Sequence, residues 1–178
     1  DHGCDWSSDV CSSDLVTKSN AAVANALQRL KTVDPTDVIN SVALSDNYLI
    51  FMGSTTGTLL VYDIVRAAGV YTITYNAAPV WRNASGVVPT AQVTNAQMVT
   101  GRYGHVIAIT ADGRVFGIGD NSNGQLDVDP VYGTFLSATA GNGFTTSVTA
   151  NNRVQFWGDS PDNSLLYINK PKYVMETP

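Results

Sequence analysis

The sequence lacks cysteine from Val16 to its last residue, because Cys4 and Cys11 both lie near its start. It also has little charge, at 14% of residues, and its only histidine after His2 is His105. Without thiols or grouped histidines, a disulfide framework, a redox centre and a cysteine–histidine zinc site are excluded for this part of the chain. We therefore predict neither a metal nor a cofactor.

Several signatures of catalysis and binding are also missing. No run of about 18 apolar residues occurs, which excludes a membrane-spanning helix within this stretch. The 10 basic residues are scattered, so the basic stripe typical of a nucleic-acid binder is absent. The serine motif of hydrolases, Gly-x-Ser-x-Gly, does not occur. The sequence thus predicts no enzyme, no nucleic-acid partner and no membrane segment in this fragment.

The first fifteen residues differ in character from the rest. Residues 5–15 read DWSSDVCSSDL, which resembles the translation of a short-read sequencing adapter. Four aspartates of this N-terminal segment account for most of the net charge of −5. We predict that residues 1–15 are adapter-derived and not native, that residues 16–37 form a helix and a connector, and that residues 38–178 form the main domain.

The remaining chain shows a change of hydrophobic period. An N-cap residue at Asn20 and apolar residues at helical spacing, Val23, Leu27 and Leu30, predict one short amphipathic helix over residues 20–31 that ends before Pro35. It is expected to be a connector that packs on the first strands; the alternative is a partner-binding helix. From residue 38 the period becomes two, and β-branched and aromatic residues dominate. Strands are predicted over residues 38–44, 48–52, 58–64 and 70–75. Residues 76–96, which contain two prolines, are predicted to be a loop or an insertion.

The strand region repeats itself. Residues 105–120 (HVIAITADGRVFGIGD) align without a gap with residues 144–159 (FTTSVTANNRVQFWGD), at an offset of 39 residues. A fainter third copy is predicted at residues 42–53, with Val42 opening a strand pair as His105 and Phe144 do. One hairpin is marginal in water, so the copies are expected to pack side by side.

Each copy has turn residues between its two strands. In the middle copy these are Asp112 and Gly113, a pair able to take positive φ at both central positions of a hairpin turn. Asn151-Asn152 and Asp46-Asn47 offer the next-best chemistry for the same turn. The repeated unit is therefore predicted to be a β-hairpin.

The middle copy resembles a known family. Gly104-His105, the Asp112-Gly113 turn and the segment from Gly119 through Asn123 to Leu126 are similar to one repeat of the regulator of chromosome condensation type, or RCC-like repeat. Trp157-Gly158-Asp159 extends the resemblance to the later copy. This sequence departs from the family where Ile118 and Met52 replace tryptophan and Asp127 replaces glycine.

The resemblance implies a β-propeller. It implies a ring of seven blades in the complete protein, of which this chain would supply about three, and a structural role for His105 at the start of its strand. We predict an all-β fold, a partial β-propeller of about three blades, with one short N-terminal helix. Because a partial ring leaves sheet edges open, residues 16–178 alone are expected to aggregate or oligomerise.

The predicted function is a non-enzymatic protein-interaction scaffold with an unidentified protein partner. Propeller partners usually dock on loops at one face, so the loops at residues 120–130 and 159–164 are candidates for contact. The candidate residues are Asp120, Asn121, Asn123, Gln125, Asp127, Asp129, Asp159, Asp162 and Asn163. One alternative is a surface or virion structural protein, indicated by the Ser/Thr/Asn/Gly-rich, lysine-poor body. Another is guanine-nucleotide exchange on a small GTPase, which rests on the family resemblance alone.

Overall fold

The structure is a computed structural model that describes residues 9–83, 86–88, 93–128, 133–159 and 168–176. In this part of the chain one helix precedes thirteen strands. The elements are α1 (Asp9–Val33), β1 (Ile39–Leu44), β2 (Tyr48–Gly53), β3 (Leu59–Ala67), β4 (Val70–Tyr75), β5 (Trp81–Asn83), β6 (Gly86–Val88), β7 (Ala96–Arg102), β8 (His105–Thr110), β9 (Val115–Gly119), β10 (Phe135–Ala140), β11 (Phe144–Thr149), β12 (Arg153–Gly158) and β13 (Ile168–Glu176).

The strands form three antiparallel sheets, which we call blades. Blade 1 has the order β1-β2-β3-β4, blade 2 the order β7-β8-β9-β5-β6 and blade 3 the order β10-β11-β12-β13. The first strands of the blades are neighbours, since β1 contacts β7 and β7 contacts β10. Blades that stand side by side with adjacent inner strands are the arrangement of a β-propeller. The predicted all-β, partial propeller of three blades is confirmed.

Helix α1 is longer than predicted, and its buried side is turned by one residue. Among the described residues it spans Asp9–Val33, and neither proline nor glycine interrupts this range. Ala22, Ala26 and Leu30 are buried, whereas Val23 is 41% exposed. The two alanines, one turn apart, let the helix axis lie close to blade 1. The prediction that Val23 faces the sheet was therefore wrong.

The stretch predicted as a loop or an insertion contains β5 and β6. Trp81 on β5 is buried between blades 1 and 2. Its neighbour Arg82 pairs with Gly117 at the edge of β9. The segment that connects blades 1 and 2 thus supplies the outer strands of blade 2, and each of these strands is only three residues long, too short to show a period in the sequence.

The third repeat copy was aligned one strand too early. Val42 lies on β1, an innermost strand, whereas His105 and Phe144 open the second strands of their blades. The residue equivalent to them is Tyr48, the first residue of β2. Three cross-strand pairs show this: Tyr48 with Asp63, His105 with Gly119 and Phe144 with Gly158. The hairpin loop of blade 1 is one residue longer than that of blade 2, which hid the true alignment.

The hairpin turn in each blade has one residue with positive φ, not two. Gly113 has φ 78°, and Asp112 is not among the residues with positive φ. The prediction of a two-residue turn with two left-handed positions was wrong, because a three-residue loop needs only its last residue in that region. Gly57 (φ 60°) and Asn152 (φ 62°) hold the same position in blades 1 and 3.

The core lies between the blades. Blades 1 and 2 bury a shared cluster that includes Ile50, Met52, Val61, Val106 and Phe116. Blades 2 and 3 share a second cluster, which includes Ile107, Ile109, Phe135, Ala138 and Trp157. The central strands β2, β8 and β9 are apolar on both sides because blades 1 and 2 are each covered on both sides.

Candidate functional site

The described parts of the candidate contact loops, residues 120–128 and Asp159, lie at one end of the blades, where β9 and β12 end. The turns between the first and second strands, at residues 45–47, 102–104 and 141–143, lie at the same end. Backbone hydrogen bonds join these segments. Asp120 N donates to Gly104 O at 2.9 Å and Asp159 N donates to Gly143 O at 2.8 Å. We call the set of these three turns, residues 120–128 and Asp159 the turn face.

Asp120 organises the loop that follows β9. Its carboxylate accepts hydrogen bonds from Ser122 N, Ser122 Oγ and Gln125 Nε2, each at 3.0 Å. The bond from Ser122 N is the main cause that lowers the pKa of Asp120; partial burial acts in the opposite direction. The carboxylate therefore stays ionised and holds the loop in one conformation.

Asn121 and Asp127 fasten the same loop to blade 2. Asn121 Oδ1 accepts from Leu126 N at 2.7 Å, and its Nδ2 donates to Asp127 Oδ1 at 2.9 Å. Arg82 on β5 forms an ion pair with the same Asp127 oxygen at 3.0 Å. Because both charged side chains are more than a third exposed, the pair contributes at most about 1 kcal/mol.

Gln125 joins the loop to blade 3. The residue is 1% exposed, and its backbone carbonyl oxygen accepts a hydrogen bond from Thr145 Oγ1 at 2.8 Å. Asn123 donates its backbone N–H to Gln125 Oε1 at 2.9 Å. The prediction that Gln125 contacts a partner was wrong, because this residue is buried and bonded to blade 3.

The other predicted contact residues differ in accessibility. Asp120 is exposed, and Asn121, Asn123, Asp127 and Asp159 are half-buried. The structure brings the first four together in one loop, and places Asp159 beside the turn of blade 3. Three predicted contact residues lie outside the described residues: Asp129, Asp162 and Asn163.

Sequence analysis missed two residues of the turn face, Arg102 and Tyr103. Tyr103 is 41% exposed and has φ 52°, a conformation that is uncommon for an aromatic residue. The Arg102 guanidinium lies 5.0 Å from the centre of the tyrosine ring. Arginine and tyrosine are the side chains that most often dominate protein interfaces. The signal in the sequence is an Arg-Tyr pair directly before the glycine of a strand-connecting turn.

His105 lies beneath the turn face and joins blades 2 and 3. It is fully buried, and its Nε2 lies 3.0 Å from Thr145 Oγ1. Because that hydroxyl donates to Gln125 O, it accepts from the histidine N–H. Burial lowers the pKa of His105, while Asp120 and the backbone of Phe144 act in the opposite direction. The geometry is that of a structural residue, as the family resemblance implied.

A cavity of about 350 Å³ opens next to the turn face, between blades 1 and 2. Tyr48, Asn76, Arg82 and Asn121 line it. Asn76 is held in place because its amide donates to both carboxylate oxygens of Asp63, at 3.1 and 3.2 Å. Burial raises the pKa of Tyr48, and the charge of Asp63 adds to this effect.

Within the part of the chain that the structure describes, no group of three or more histidine, cysteine, aspartate or glutamate side chains is placed to hold a metal ion. The one described helix is not both long and apolar enough to cross a membrane.

Comparison with known proteins identifies the repeat. A family model described as "Regulator of chromosome condensation (RCC1) repeat" matches residues 96–125, which run from the start of β7 to Gln125. Among curated protein sequences, none matches the chain. The C-terminal domain of gp131 from bacteriophage phiKZ is 28% identical in sequence, with a TM-score of 0.68, over 93% of this chain and 47% of that one.

Two further structures share the fold at lower identity. Yeast RCC1 (Prp20), solved with Kap60 bound to it, is 13% identical, with a TM-score of 0.58, over 83% of this chain and 37% of that one. Human WBSCR16 is 14% identical, with a TM-score of 0.53, over 78% of this chain and 38% of that one. The chain thus spans half or less of each of these structures. The matched repeat shows that residues 96–125 form an RCC1-type repeat, and the shared arrangement of blades shows an RCC1-like β-propeller fold.

Proposed function

We propose that this chain belongs to a non-enzymatic interaction scaffold that binds a protein partner through the turn face. The RCC1-like repeat fold indicates a protein-interaction propeller. The observation that carries the proposal is the turn face itself: loops from three blades are fixed by internal hydrogen bonds, so their exposed side chains need little further ordering on binding. Yeast RCC1 was solved in a complex with Kap60, a protein partner, which is consistent with this class of function.

The polar groups of the main loop support a binding role over a catalytic one. The Asp120 carboxylate accepts three hydrogen bonds within its own loop, and the Asn121 amide uses both of its ends there. Groups engaged in this way hold a shape and do not move protons. The likeness to yeast RCC1 at 13% identity shows the fold alone, so we do not propose guanine-nucleotide exchange for this chain.

Charge on the turn face indicates the chemistry of the partner surface. Asp46 and Asp120 are exposed and Asp159 is half-buried, against one exposed cation, Arg102. A partner surface with basic residues would complement this arrangement. Binding by such a surface weakens as salt concentration rises, because surface charges are screened.

The experiment is affinity capture with the full-length gene product, followed by identification of the captured protein. The test variant combines Arg102→Ala with Tyr103→Ala, since both side chains are exposed. A matched control is Val65→Ala, a side chain 57% exposed on blade 1 and outside the turn face. We expect the test variant to lose the partner that the wild type and the control retain. Equal capture by all three proteins, at unchanged melting temperature, would refute the assignment.

A surface or virion structural protein is the second candidate. It is supported by the likeness to the gp131 domain, which comes from a bacteriophage and is 28% identical over 93% of this chain. The DNA on either side of the coding sequence provides the test. Neighbouring capsid or tail genes would support this candidate, whereas an open reading frame that continues into a catalytic domain would contradict it.

A further inference from the structure

The cavity of about 350 Å³ beside the turn face lies where the sheet of blade 2 narrows. β5 pairs with β9 at one position only, Arg82 with Gly117. Beyond this pair, Ile118 and Gly119 line the cavity, and in the described part of the chain no further strand pairs with this edge of β9. Blade 1 forms the other wall through Tyr48. Both walls therefore come from blades that the structure describes.

Polar side chains stand on both walls of the cavity. Tyr48 and Asn76 come from β2 and the end of β4 in blade 1, whereas Arg82 and Asn121 come from blade 2. The last two both donate hydrogen bonds to Asp127 Oδ1, at 3.0 and 2.9 Å. Asn76 is fixed by its own bonds to the blade 1 wall, as described above. Groups held in this way need little further ordering when a ligand binds.

The charges around the cavity favour a neutral ligand. Among the described residues that line it, Arg82 alone is charged, and its guanidinium is paired with Asp127. On the other wall, burial raises the pKa of Tyr48 and the negative charge of Asp63 raises it further. A cation would be repelled by Arg82, and an anion by the field of Asp63 at the tyrosine hydroxyl. A ligand without net charge avoids both costs.

The hydrogen-bonding groups of the cavity include donors and acceptors. The Tyr48 hydroxyl can do both, and the Arg82 guanidinium has further N–H donors besides the one bonded to Asp127. The side-chain oxygens of Asn76 and Asn121 each accept one backbone hydrogen bond and have a second lone pair. Hydroxyl groups suit such a lining, because each of them is a donor and an acceptor.

Apolar surface lies between these polar groups. It is supplied by Ala78, Val80, Ile118 and Leu126, of which Val80 is 54% exposed. A sugar ring matches this mixture, since it has an apolar C–H face and hydroxyl groups around its rim. An amino-acid side chain of a partner carries its polar atoms at one end, whereas this cavity has polar groups on two walls. Its volume is at the lower end of the range for small-molecule sites, about 300–1,000 Å³.

We propose that the cavity between blades 1 and 2 binds a neutral carbohydrate, a function separate from the binding of a protein by the turn face. Tyr48 and Asn76 bind hydroxyl groups on one side of the sugar ring, and Arg82 and Asn121 bind them on the other. Ala78 and the other apolar residues of the lining contact its C–H face.

The test is binding of methyl glycosides of neutral hexoses to the full-length gene product, detected by saturation-transfer NMR and quantified by titration calorimetry. Ala78→Leu fills the cavity without removing a polar group. Ala77→Leu is the matched control, at a neighbouring exposed alanine that does not line the cavity. We expect the wild type and the control to bind at least one glycoside, and Ala78→Leu to lose this binding at unchanged melting temperature.

Tyr48→Phe removes one hydroxyl group from the wall and keeps the ring. We expect the affinity for the glycoside to fall by about 2- to 12-fold, the equivalent of one hydrogen bond. If the wild type binds no glycoside at millimolar concentration, the proposal is wrong, although the turn face could still bind a protein. Glycoside binding that Ala78→Leu leaves intact would overturn the assignment to this cavity. Loss of a captured protein in Ala78→Leu, without glycoside binding by the wild type, would show that a partner side chain is the ligand instead.

Discussion

Replacing Gly57 by alanine tests whether the hairpin turn of blade 1 holds blade 2 in place. A Cβ atom on Gly57 would lie 2.4 Å from both the backbone nitrogen and the backbone oxygen of Ala96, the first residue of β7. Gly57 O also accepts a hydrogen bond from Ala96 N at 2.9 Å, and Thr56 O accepts one from Asn95 N at 2.9 Å. Because the atoms in conflict belong to the backbone, side-chain rotation cannot relieve the clash, and β7 must move.

The expected cost follows from two effects. An alanine held in the left-handed region costs about 1–2 kcal/mol, and each hydrogen bond lost between the blades costs about 0.5–1.5 kcal/mol. With two such bonds lost, we expect the free energy of unfolding to fall by about 2–5 kcal/mol. That is a large part of the total stability of an ordinary domain, which is about 5–15 kcal/mol.

Gly133→Ala is the matched control, because Gly133 has φ 80° but a Cβ atom there meets nothing within 4 Å. It keeps the backbone strain, about 1–2 kcal/mol, without the clash. Urea unfolding followed by tryptophan fluorescence measures both variants, since Trp81 is buried between blades 1 and 2. Equal shifts of the unfolding midpoint in the two variants would refute the reasoning. Asn152 agrees with it: this residue holds the equivalent turn position in blade 3, where no further blade follows in the described part of the chain.

Three further predictions concern buried polar groups. Burial alone would raise the pKa of Asp37, but hydrogen bonds from the backbone and hydroxyl groups of its neighbours, including Thr56 Oγ1 at 2.6 Å, outweigh this effect and lower the pKa. Asp37→Asn should therefore lower the free energy of unfolding by about 1–3 kcal/mol at pH 7. In thermal melts below pH 3.8 this difference from the wild type should shrink, because the wild-type carboxylate takes up a proton. Because the fold lowers the pKa of His105, the unfolded chain binds a proton at a higher pH than the folded chain does. The contribution of neutral His105 to stability should be fully present above pH 6.5 and decrease as the pH falls below it. His105→Gln should weaken this pH dependence of the melting temperature between pH 7.5 and 5.5. Gln155 is fully buried, and its amide atoms have no hydrogen-bond partner among the described residues. An apolar residue, Phe116, fills the equivalent place in blade 2. Gln155→Leu should therefore raise the free energy of unfolding by about 1–3 kcal/mol, and a fall in the urea midpoint would contradict this.

Much of the fold was predictable because local patterns decide it. The strands β1 to β4 begin within one residue of the predicted positions, since period-two alternation and turn residues bound them clearly. The gapless match between residues 105–120 and 144–159 identified equivalent hairpins in blades 2 and 3. Blade 1 was misaligned because its hairpin loop is one residue longer, and no local feature marks such an insertion.

The candidate site was less predictable, because accessibility depends on the neighbouring blade. Gln125 is a polar residue in a loop and was expected at the surface. It is buried instead, and its backbone carbonyl oxygen accepts a hydrogen bond from Thr145 of blade 3. Tyr103 is an aromatic residue that a strand pattern would place inside, yet it lies exposed at a turn. Both outcomes are set by contacts between residues that are far apart in the sequence.

The apolar strands of blade 1, by contrast, show from the sequence why another element has to pack on this blade. A strand that is apolar at successive positions has to be covered on both faces. In β2, the run from Leu49 to Met52 is apolar throughout and buried throughout, so blade 1 requires an apolar neighbour on each side. In β11 the same positions are occupied by threonines, a serine and a single valine, Val148. Blade 1 therefore buries an apolar cluster on each of its faces, one shared with blade 2 and one shared with α1.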